Sequence, residues 1–315
     1  MSVDIAPERP VAEAVAPATG GRYDFSVTVV IPAYNEAPRV AATVAGVRAA
    51  VPEAEIIVVD DASRDGTGDE ARRAGATVIR RPHNNGGPGA PIKRGIRSAS
   101  GDVVVIIDCD GQHDPNDIPR LLAFMGEYDM VIAARPGRGS HENMRRYLGN
   151  LLLNKLGSYL IEMEMKDLTS GLRAMRRDVM MDFIHLLPNG FSWAMTSAMA
   201  FAKAGYTVRF EPMTMQKRQG GQSTQKLMKN GMKFGVIILR MVSLFAPLRL
   251  YTPVGLAMFA LGMISWLLNM FVLAPQRGLY IPNSAIMLFI GAIVVFLYGL
   301  QAESIAALRF KGPER

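Results

Sequence analysis

Cysteine is almost absent from this 315-residue chain, which contains Cys109 alone. A single cysteine excludes an intramolecular disulfide, and with it the small secreted folds that depend on disulfides. Residues 1–24 also lack the basic start and long apolar core of a secretory signal peptide. They are rich in Ala, Pro and Glu, so we expect a disordered N-terminal tail. The remaining length suits one large domain with appendages.

Charged residues are absent from two C-terminal stretches, 250–276 and 278–302, which a single arginine separates. Each stretch exceeds the roughly 20 apolar residues that a helix needs to cross a bilayer. A pair of buried core helices is the alternative, but fully apolar runs of this length are rare in soluble cores. We therefore predict two transmembrane helices within residues 250–303, with Pro253 and Pro282 near helix starts and a short turn between the helices.

Basic residues flank the two apolar stretches. Upstream lie Lys217, Arg218, Lys226, Lys229, Lys233, Arg240 and Arg249, and downstream lie Arg309, Lys311 and Arg315. This bias predicts an integral membrane protein, of the inner or plasma membrane in a bacterium, with the N-terminal domain and both termini in the cytoplasm. Residues 228–249 are predicted to form an interfacial amphipathic helix, and 304–315 a basic tail. Nucleic-acid binding is the rival interpretation of the net charge of +7, but the adjacent spans favour anionic lipid headgroups.

Short apolar runs alternate with helical patterns across residues 25–227. The predicted strands are Val27–Ile31, Glu55–Val59, Thr77–Arg80, Val103–Ile107, Met130–Ala134 and Val208–Pro212, and the predicted helices include Arg39–Ala50, Asp65–Ala74, Pro91–Ala99, Pro115–Phe124, Tyr147–Ile161, Asp178–Leu187 and Trp193–Ala204. Such alternation predicts an α/β domain with a mostly parallel central sheet. Ligands of open sheets bind at the carboxyl ends of the strands, where polar motifs occur here at 32–36, 60–61, 108–112 and 135.

The segment Asp108-Cys109-Asp110 follows the apolar run Val103–Ile107. In an extended segment the two carboxylates leave the same side, while Cys109 points the other way. Two carboxylates at a sheet edge suit a hard divalent cation that keeps positions for water and a substrate phosphate. His113 follows closely, but hard cations prefer oxygen ligands, so we interpret it as a bystander. Cys109 is expected to be a small packed residue.

Four segments occur in an order that resembles the family 2 glycosyltransferases with the GT-A fold: VTVVIPAYNE, IIVVDDASRDGT, NNGGPGAPIKRGI and IIDCDGQHDP. The resemblance covers about residues 27–223. It implies a GT-A nucleotide-sugar-binding domain that moves a sugar from a nucleotide-sugar with inversion. The two C-terminal spans and the segment DLTSGLRAMRR resemble the branch that glycosylates polyprenyl phosphates such as undecaprenyl and dolichyl phosphate. The implied product is a lipid-phosphate sugar made from a hexose-type donor.

The resemblance also implies roles for individual residues. Mg²⁺ or Mn²⁺ would be positioned by Asp108, Asp110 and Gln112. The residues implied to bind the UDP- or GDP-sugar, or to border it, are Pro32, Tyr34, Asn35, Glu36, Asp61, Lys93, Asp108, Arg146, Ser170 and Ser223. Asp167, Thr169 and Gly171 would help Ser170 to shape the sugar pocket, and Asp60 would be structural. A plain turn at 32–36 and a plain loop at 85–95 remain the alternatives for those segments.

The acceptor follows from a missing base. A hydroxyl acceptor needs a general base, which many family members supply from a helix after the metal site, but residues 191–205 contain no Asp or Glu. A phosphate monoester is largely dianionic at neutral pH and needs only positive charge to hold it. By the resemblance, Arg135, Arg218, and either Arg145 or Arg146 would hold it, and Asp110, Arg135 and Arg218 form the predicted catalytic set. The transmembrane region is the candidate surface for self-association.

Two other functions compete with this one. A processive polysaccharide synthase usually shows a Gln-x-x-Arg-Trp motif and more spans, and the only tryptophans here are Trp193 and Trp266. A non-catalytic, membrane-tethered nucleotide-sugar scaffold would keep the fold without turnover. The intact Asp108, Asp110 and Gln112 favour catalysis.

Overall fold

A computed structural model of the protein describes residues 23–136, 144–215, 231–273 and 275–310. Its centre is a seven-stranded sheet in the order β3-β2-β1-β4-β6-β5-β7. The strands are β1 (Val27–Ala33), β2 (Glu55–Asp60), β3 (Thr77–Arg80), β4 (Val103–Ile106), β5 (Met130–Ala134), β6 (Arg173–Arg176) and β7 (Val208–Pro212). Neighbouring strands are parallel except where β6 lies antiparallel between β4 and β5. The predicted α/β class with a mostly parallel sheet is confirmed.

Helices cover both faces of the sheet. They are α1 (Ala37–Ala50), α2 (Thr67–Arg73), α3 (Gly89–Ser98), α4 (Ile118–Leu122), α5 (Met144–Ile161), α6 (Arg177–Phe183), α7 (Trp193–Lys203), α8 (Gly231–Phe245), α9 (Leu248–Leu268) and α10 (Asn283–Arg309). Alternate strand residues point to opposite faces, so Val30 and Val104 pack with α3, α7 and α8, while Val29 and Val105 pack with α1 and α4. Two apolar cores therefore pack against the two faces of the sheet.

Strand β6 is the element that sequence patterning missed. It has four residues, RAMR, of which two are arginines, so neither apolar alternation nor length distinguishes it. Its pairing partners supply the burial instead: Arg173 lies opposite Ile106 on one side and Ile132 on the other. Because β6 is antiparallel, the segment that precedes it lies at the same sheet edge as the residues that follow β4 and β5.

Helices α5 and α8 expose apolar side chains on their outer surfaces. Leu148, Leu152 and Tyr159 are exposed along α5, and Val236 and Leu239 are exposed along α8. The inner face of α8 places Met241, Val242 and Phe245 in the core beside α7. Helix α8 spans residues 231–245 and so falls within the predicted interfacial segment 228–249. Residues 228–230 of that segment lie outside the described residues. Exposed apolar faces on both helices suit an interfacial position.

The two C-terminal helices pack against each other as a hairpin. Leu248–Leu273 and Asn283–Arg309 are long and apolar enough to cross a bilayer, and only 6% and 17% of their most apolar windows is buried. Core helices would be mostly buried, so this alternative does not fit. Buried small residues on α10 recur at a spacing of seven, at Ala285, Ala292, Gly299 and Ala306.

One prediction about the hairpin is wrong. Pro253 was expected near a helix start, but it lies inside α9, which begins at Leu248 directly after Pro247. Pro247 has an αR backbone and already starts the helix, which leaves Pro253 in its second turn. Pro282 does precede the first residue of α10, as predicted. The far end of α10 returns to the sheet domain, where the Phe310 ring lies 5.3 Å from that of Phe245 and 6.1 Å from that of Phe183.

Candidate active site

The loop after β1 is fastened to the loop after β2 by side-chain hydrogen bonds. Asn35 adopts a φ of 54°, a left-handed conformation that Asn tolerates better than most residues. Its backbone N–H donates to Ser63 Oγ over 3.0 Å, and its side-chain carbonyl accepts from the Arg64 N–H over 2.9 Å. Tyr34 is 42% exposed at the top of this loop. This loop presents Tyr34 outward, and the nucleotide role of residues 32–36 stays a prediction.

Asp60 and Asp61 lie at the end of β2 and face different partners. Asp60 is fully buried, accepts from the Ser63 N–H over 2.8 Å and pairs with Arg80 over 2.8 Å. Asp61 pairs with Arg81. Burial raises the pKa of Asp61, an effect that the charge of Arg81 opposes. Both aspartates are buried and ion-paired, and the structural role of Asp60 and the nucleotide role of Asp61 stay predictions.

Asp108 and Asp110 follow β4, as the strand pattern predicts. Asp110 Oδ1 accepts from the Gln112 N–H over 3.1 Å, across Gly111 with its φ of 78°. The carboxylate of Asp108 packs against Gly171, where an added Cβ would lie 2.4 Å from Asp108 Oδ2. The loop before β6 therefore contacts the first of the two carboxylates, a neighbour that sequence spacing did not reveal.

A divalent cation fits this donor set. Among the described residues no group of three or more His, Cys, Asp or Glu side chains could enclose a metal ion. Two aspartates and the carbonyl of the Gln112 amide are oxygen ligands, the type that Mg²⁺ and Mn²⁺ prefer. The sulfur between them takes no part, because Cys109 is 2% exposed and its Sγ donates to the Pro32 carbonyl over 3.6 Å.

Arg135 follows β5 and holds the loop that precedes β6. Its Nε lies 2.7 Å from Asp167 Oδ2 and its Nη2 lies 2.8 Å from Asp167 Oδ1, so the two side chains form a bidentate pair. The same Nη2 also donates a hydrogen bond to Thr169 Oγ1. Burial opposes ionisation of Asp167, but the hydrogen bonds and charge of Arg135 outweigh it, so the pKa of Asp167 is lowered. Arg135 is thus anchored as a fixed cation at the sheet edge.

Ser170 and Arg173 lie behind this loop. Ser170 is 2% exposed, and its Oγ has no hydrogen-bond partner among the described residues, which suits a group that meets a ligand. Arg173 is fully buried; its Nη1 donates to the Ala194 carbonyl over 2.7 Å and to Ser197 Oγ over 2.8 Å. The same side chain bonds the Ser170 carbonyl, so it joins the loop to the first turn of α7.

Arg173 is the site residue that sequence reasoning missed. Burial lowers its pKa to about 9, while Asp167 and Asp108 act in the opposite direction. The guanidinium therefore remains charged at neutral pH and places a fixed cation near both aspartates. The sequence signal for Arg173 was its position in the segment DLTSGLRAMRR, but this segment does not indicate that the side chain is buried. His113, in contrast, has a pKa lowered to about 4 by burial and by Arg135 and Arg173, so it is neutral at neutral pH.

The glycine-rich segment after β3 approaches protein backbone closely. A Cβ on Gly89 would lie 2.2 Å from the Pro188 carbonyl oxygen, and one on Gly87 would lie 2.7 Å from Gly190 Cα. Lys93 lies on α3, and its Nζ donates to the Leu187 carbonyl over 3.0 Å. The glycines thus allow this segment to pack closely against the backbone of residues 188–190.

The side chains of three predicted site residues lie outside the part of the chain that the structure describes. Arg218 and Ser223 fall outside the described residues, and Arg146 is described only as part of the backbone of α5. The remaining predicted residues lie at or just after the end of β1, follow β2, β4 or β5, or precede β6, apart from Lys93 on α3. These five positions converge on one edge of the sheet.

The chain matches two protein families. Residues 28–184 match Glycosyl transferase family 2, and residues 246–308 match the GtrB C-terminal hairpin.

Among curated proteins, the chain is 32% identical over 214 residues to undecaprenyl-phosphate mannosyltransferase of Micrococcus luteus, covering 62% of this chain and 86% of that protein. It is 30% identical over 297 residues to undecaprenyl-phosphate 4-deoxy-4-formamido-L-arabinose transferase of Edwardsiella ictaluri, covering 90% of this chain and 89% of that protein. The alignment with the second relative extends over nearly the whole chain.

Among solved structures, the fold is similar to glucosyl-3-phosphoglycerate synthase from Mycobacterium tuberculosis in complex with Mn²⁺, UDP and glucosyl-3-phosphoglycerate. The TM-score is 0.53 at 23% identity, over 70% of this chain and 80% of that one. At this identity the likeness concerns the fold alone, and it confirms the GT-A architecture.

Proposed function

The chain belongs to glycosyl transferase family 2 and is a glycosyltransferase, and from that premise we propose that it moves a hexose-type sugar from a nucleotide diphosphate-sugar to a polyprenyl phosphate. Two curated relatives carry undecaprenyl phosphate in their names, and one of them covers 90% of this chain. The C-terminal hairpin supports an acceptor that resides in the bilayer.

The single observation that carries the acceptor assignment is the charge around α7. This helix runs from Trp193 to Lys203 without a carboxylate, so it offers no general base for a hydroxyl. Its first turn contacts the buried cation Arg173 instead. A fixed positive charge without a base suits an acceptor that is already an anion, and a phosphate monoester with a second pKa near 6 meets that requirement.

We propose a single displacement with inversion. A phosphate oxygen of the acceptor attacks the anomeric carbon while the bond from that carbon to the nucleotide diphosphate breaks, and the leaving diphosphate takes the electron pair. Asp108, Asp110 and Gln112 would hold Mg²⁺ or Mn²⁺, which neutralises charge on the leaving group when bound. Arg135, fixed by Asp167, and Arg218 would hold the acceptor phosphate. No proton has to be removed from the acceptor.

Orientation is part of the same proposal. The basic residues that flank the spans support a cytoplasmic sheet domain, with the exposed apolar faces of α5 and α8 on the membrane surface. A polyprenyl tail would then stay in the hydrocarbon while its phosphate reaches the sheet edge.

The activity test offers the purified full chain a panel of UDP- and GDP-sugars with polyprenyl phosphate and Mg²⁺ or Mn²⁺, and analyses the lipid by mass spectrometry. The expected product gains one sugar residue on the phosphate. A growing polymer would identify a processive synthase, and no product from any donor would favour a non-catalytic scaffold.

Replacing Asp110 tests the metal assignment. Asp110→Asn keeps the shape of the side chain but cannot offset the cation charge, so we expect turnover to fall at least about 100-fold, or about 2.7 kcal/mol of transition-state stabilisation. Turnover is measured over a range of Mg²⁺ and Mn²⁺ concentrations, and circular dichroism checks the fold. Wild-type turnover at saturating metal would contradict the assignment.

A further inference from the structure

A second charged site is a cleft of about 370 Å³ whose lining residues include neither Asp108 nor Asp110. It is bordered by the end of β3, the outer face of α3 and the segment before α7. Five cationic side chains line it: Arg80, Arg81, Lys93, Arg94 and Arg97. No carboxylate is among its lining residues, while Asn85 and Asn189 supply neutral polar groups. We refer to it as the basic cleft. Its volume falls within the range of small-ligand sites.

The charges in the basic cleft are only partly balanced. Arg80 and Arg81 pair with Asp60 and Asp61, which lie at the end of β2. The ammonium of Lys93 meets a neutral acceptor, the Leu187 carbonyl, at 3.0 Å. Within the described ranges, neither Arg94 nor Arg97 forms a salt bridge with a carboxylate. The charges of these last three side chains therefore remain uncompensated by the part of the chain that the structure describes.

Helix α3 presents these charges on one side and apolar groups on the other. Ile92 and Ile96 are fully buried against the sheet, while Arg94 and Arg97 are exposed toward the cleft. Burial lowers the pKa of Lys93, and the charges of Arg97, Arg240 and Arg81 lower it further. The mutual repulsion of these cations is relieved when an anion binds among them.

The basic cleft also adjoins the interfacial helix α8. Arg240 of α8 donates to the Leu186 carbonyl over 3.5 Å, one residue before the carbonyl that Lys93 contacts. Val236 and Leu239 expose apolar side chains on the same helix. If α8 lies on the bilayer, the cleft opens close to the level of the lipid phosphates.

We propose that the basic cleft binds a phosphate group, carried by an anionic lipid headgroup or by a soluble phosphate compound, at a site separate from the metal-bound donor. Lys93, which the resemblance assigned to the donor, would then belong to this cleft instead. Guanidinium groups suit this ligand, because their planar N–H donors match phosphate oxygens in pairs. The binding needs no metal and no transfer reaction, so it stands or falls independently of the proposed function.

The test uses the full chain in nanodiscs with two arms and two double variants. In the soluble arm, inorganic pyrophosphate is titrated by calorimetry into discs of phosphatidylcholine with EDTA present, which removes metal-mediated binding at the donor site. In the lipid arm, the midpoint of thermal unfolding is compared between discs with and without phosphatidylglycerol. Arg94→Gln with Arg97→Gln alters the cleft. Arg72→Gln with Arg73→Gln removes the same charge from exposed positions on α2.

The cleft variant should lose phosphate binding in one of the two arms, and the α2 variant should retain it. Pyrophosphate affinity lowered at least tenfold only in the cleft variant identifies a soluble phosphate ligand. A phosphatidylglycerol-dependent midpoint rise that only the cleft variant loses identifies a lipid ligand. Equal behaviour of the two variants in both arms overturns the proposal. An equal loss of nucleotide affinity in the cleft variant, measured with UDP and GDP, also overturns it, because the cleft would then belong to the donor site.

Discussion

Gly171 lies directly against Asp108, one of the two aspartates that we assign to the metal. A side chain at this position would overlap the carboxylate of Asp108, since the added Cβ would lie 2.4 Å from Oδ2. The backbone before β6 is also held by Arg135 and Arg173, so it cannot easily retreat. The carboxylate is therefore the group that must move.

We expect Gly171→Ala to lower kcat/KM at least about tenfold, equivalent to about 1.4 kcal/mol, because Asp108 leaves the position that suits the cation. Steady-state kinetics with varied metal measures the loss, which should include a higher metal requirement. Gly126→Ala is the matched control, because no atom lies within 4 Å of its added Cβ. Equal activity of the two variants would contradict the contact.

Arg218 is the residue that we assign to the acceptor phosphate. Losing one charge-assisted contact costs about 1.5–3 kcal/mol, so Arg218→Ala should lower kcat/KM for the lipid roughly 10- to 150-fold. Arg218→Lys should recover only part of the activity, because the planar fork is lost. Nucleotide affinity without lipid, measured by calorimetry, should change little. A tenfold weaker nucleotide with unchanged lipid KM would move Arg218 to the donor site.

Residues at the ends of apolar strands were predictable from the sequence, and buried charges were not. Asp108, Asp110 and Arg135 follow strands that composition identifies, so their convergence follows from the rule for parallel sheets. Arg173 depends on contacts with Ala194 and Ser197, which are distant in the chain and carry no local signal. Its burial is a tertiary property of β6 and α7.

At the scale of elements, long periodic helices and apolar strands were recovered closely. The predicted Thr77–Arg80, Met130–Ala134 and Val208–Pro212 coincide with β3, β5 and β7. Strand β6 escaped because four residues with two arginines carry neither alternation nor apolar character. Its conformation is set by pairing with β4 and β5, and pairing between distant segments is invisible to local pattern.

Close contact between α9 and α10 depends on small residues. A Cβ on Gly299 would lie 2.7 Å from Tyr251 Cβ, so we expect Gly299→Leu to separate the helices and destabilise the hairpin by about 1–3 kcal/mol. The midpoint of thermal unfolding in one detergent measures the change. Ala260→Leu adds similar bulk at an exposed position of α9 and should leave the midpoint almost unchanged. A larger shift in the Ala260 variant would contradict this packing.

For the whole molecule, the prediction concerns which side of the membrane each end faces. We expect a cysteine at Gln276 to be labelled from outside intact cells, and one at Glu314 to be labelled only after permeabilisation. The background is Cys109→Ser, a small change at a buried position. Membrane-impermeant maleimide provides the measurement. External labelling at position 314 would overturn the cytoplasmic orientation.

The central place of β6 dictates when the sheet can close during synthesis. Strands β3, β2, β1 and β4 are neighbours in the sheet and all lie within the first 106 residues, so this part of the sheet can pair before β5 and β6 are synthesised. Strand β5 is synthesised next, but it cannot pair with β4, because β6 (residues 173–176) lies between the two strands. It must wait, with its edge unpaired, until about 40 further residues have emerged. The aspartates after β4 thus exist on the nascent chain well before their neighbour Gly171, and the contact between them can form only after the loop that precedes β6 has been synthesised.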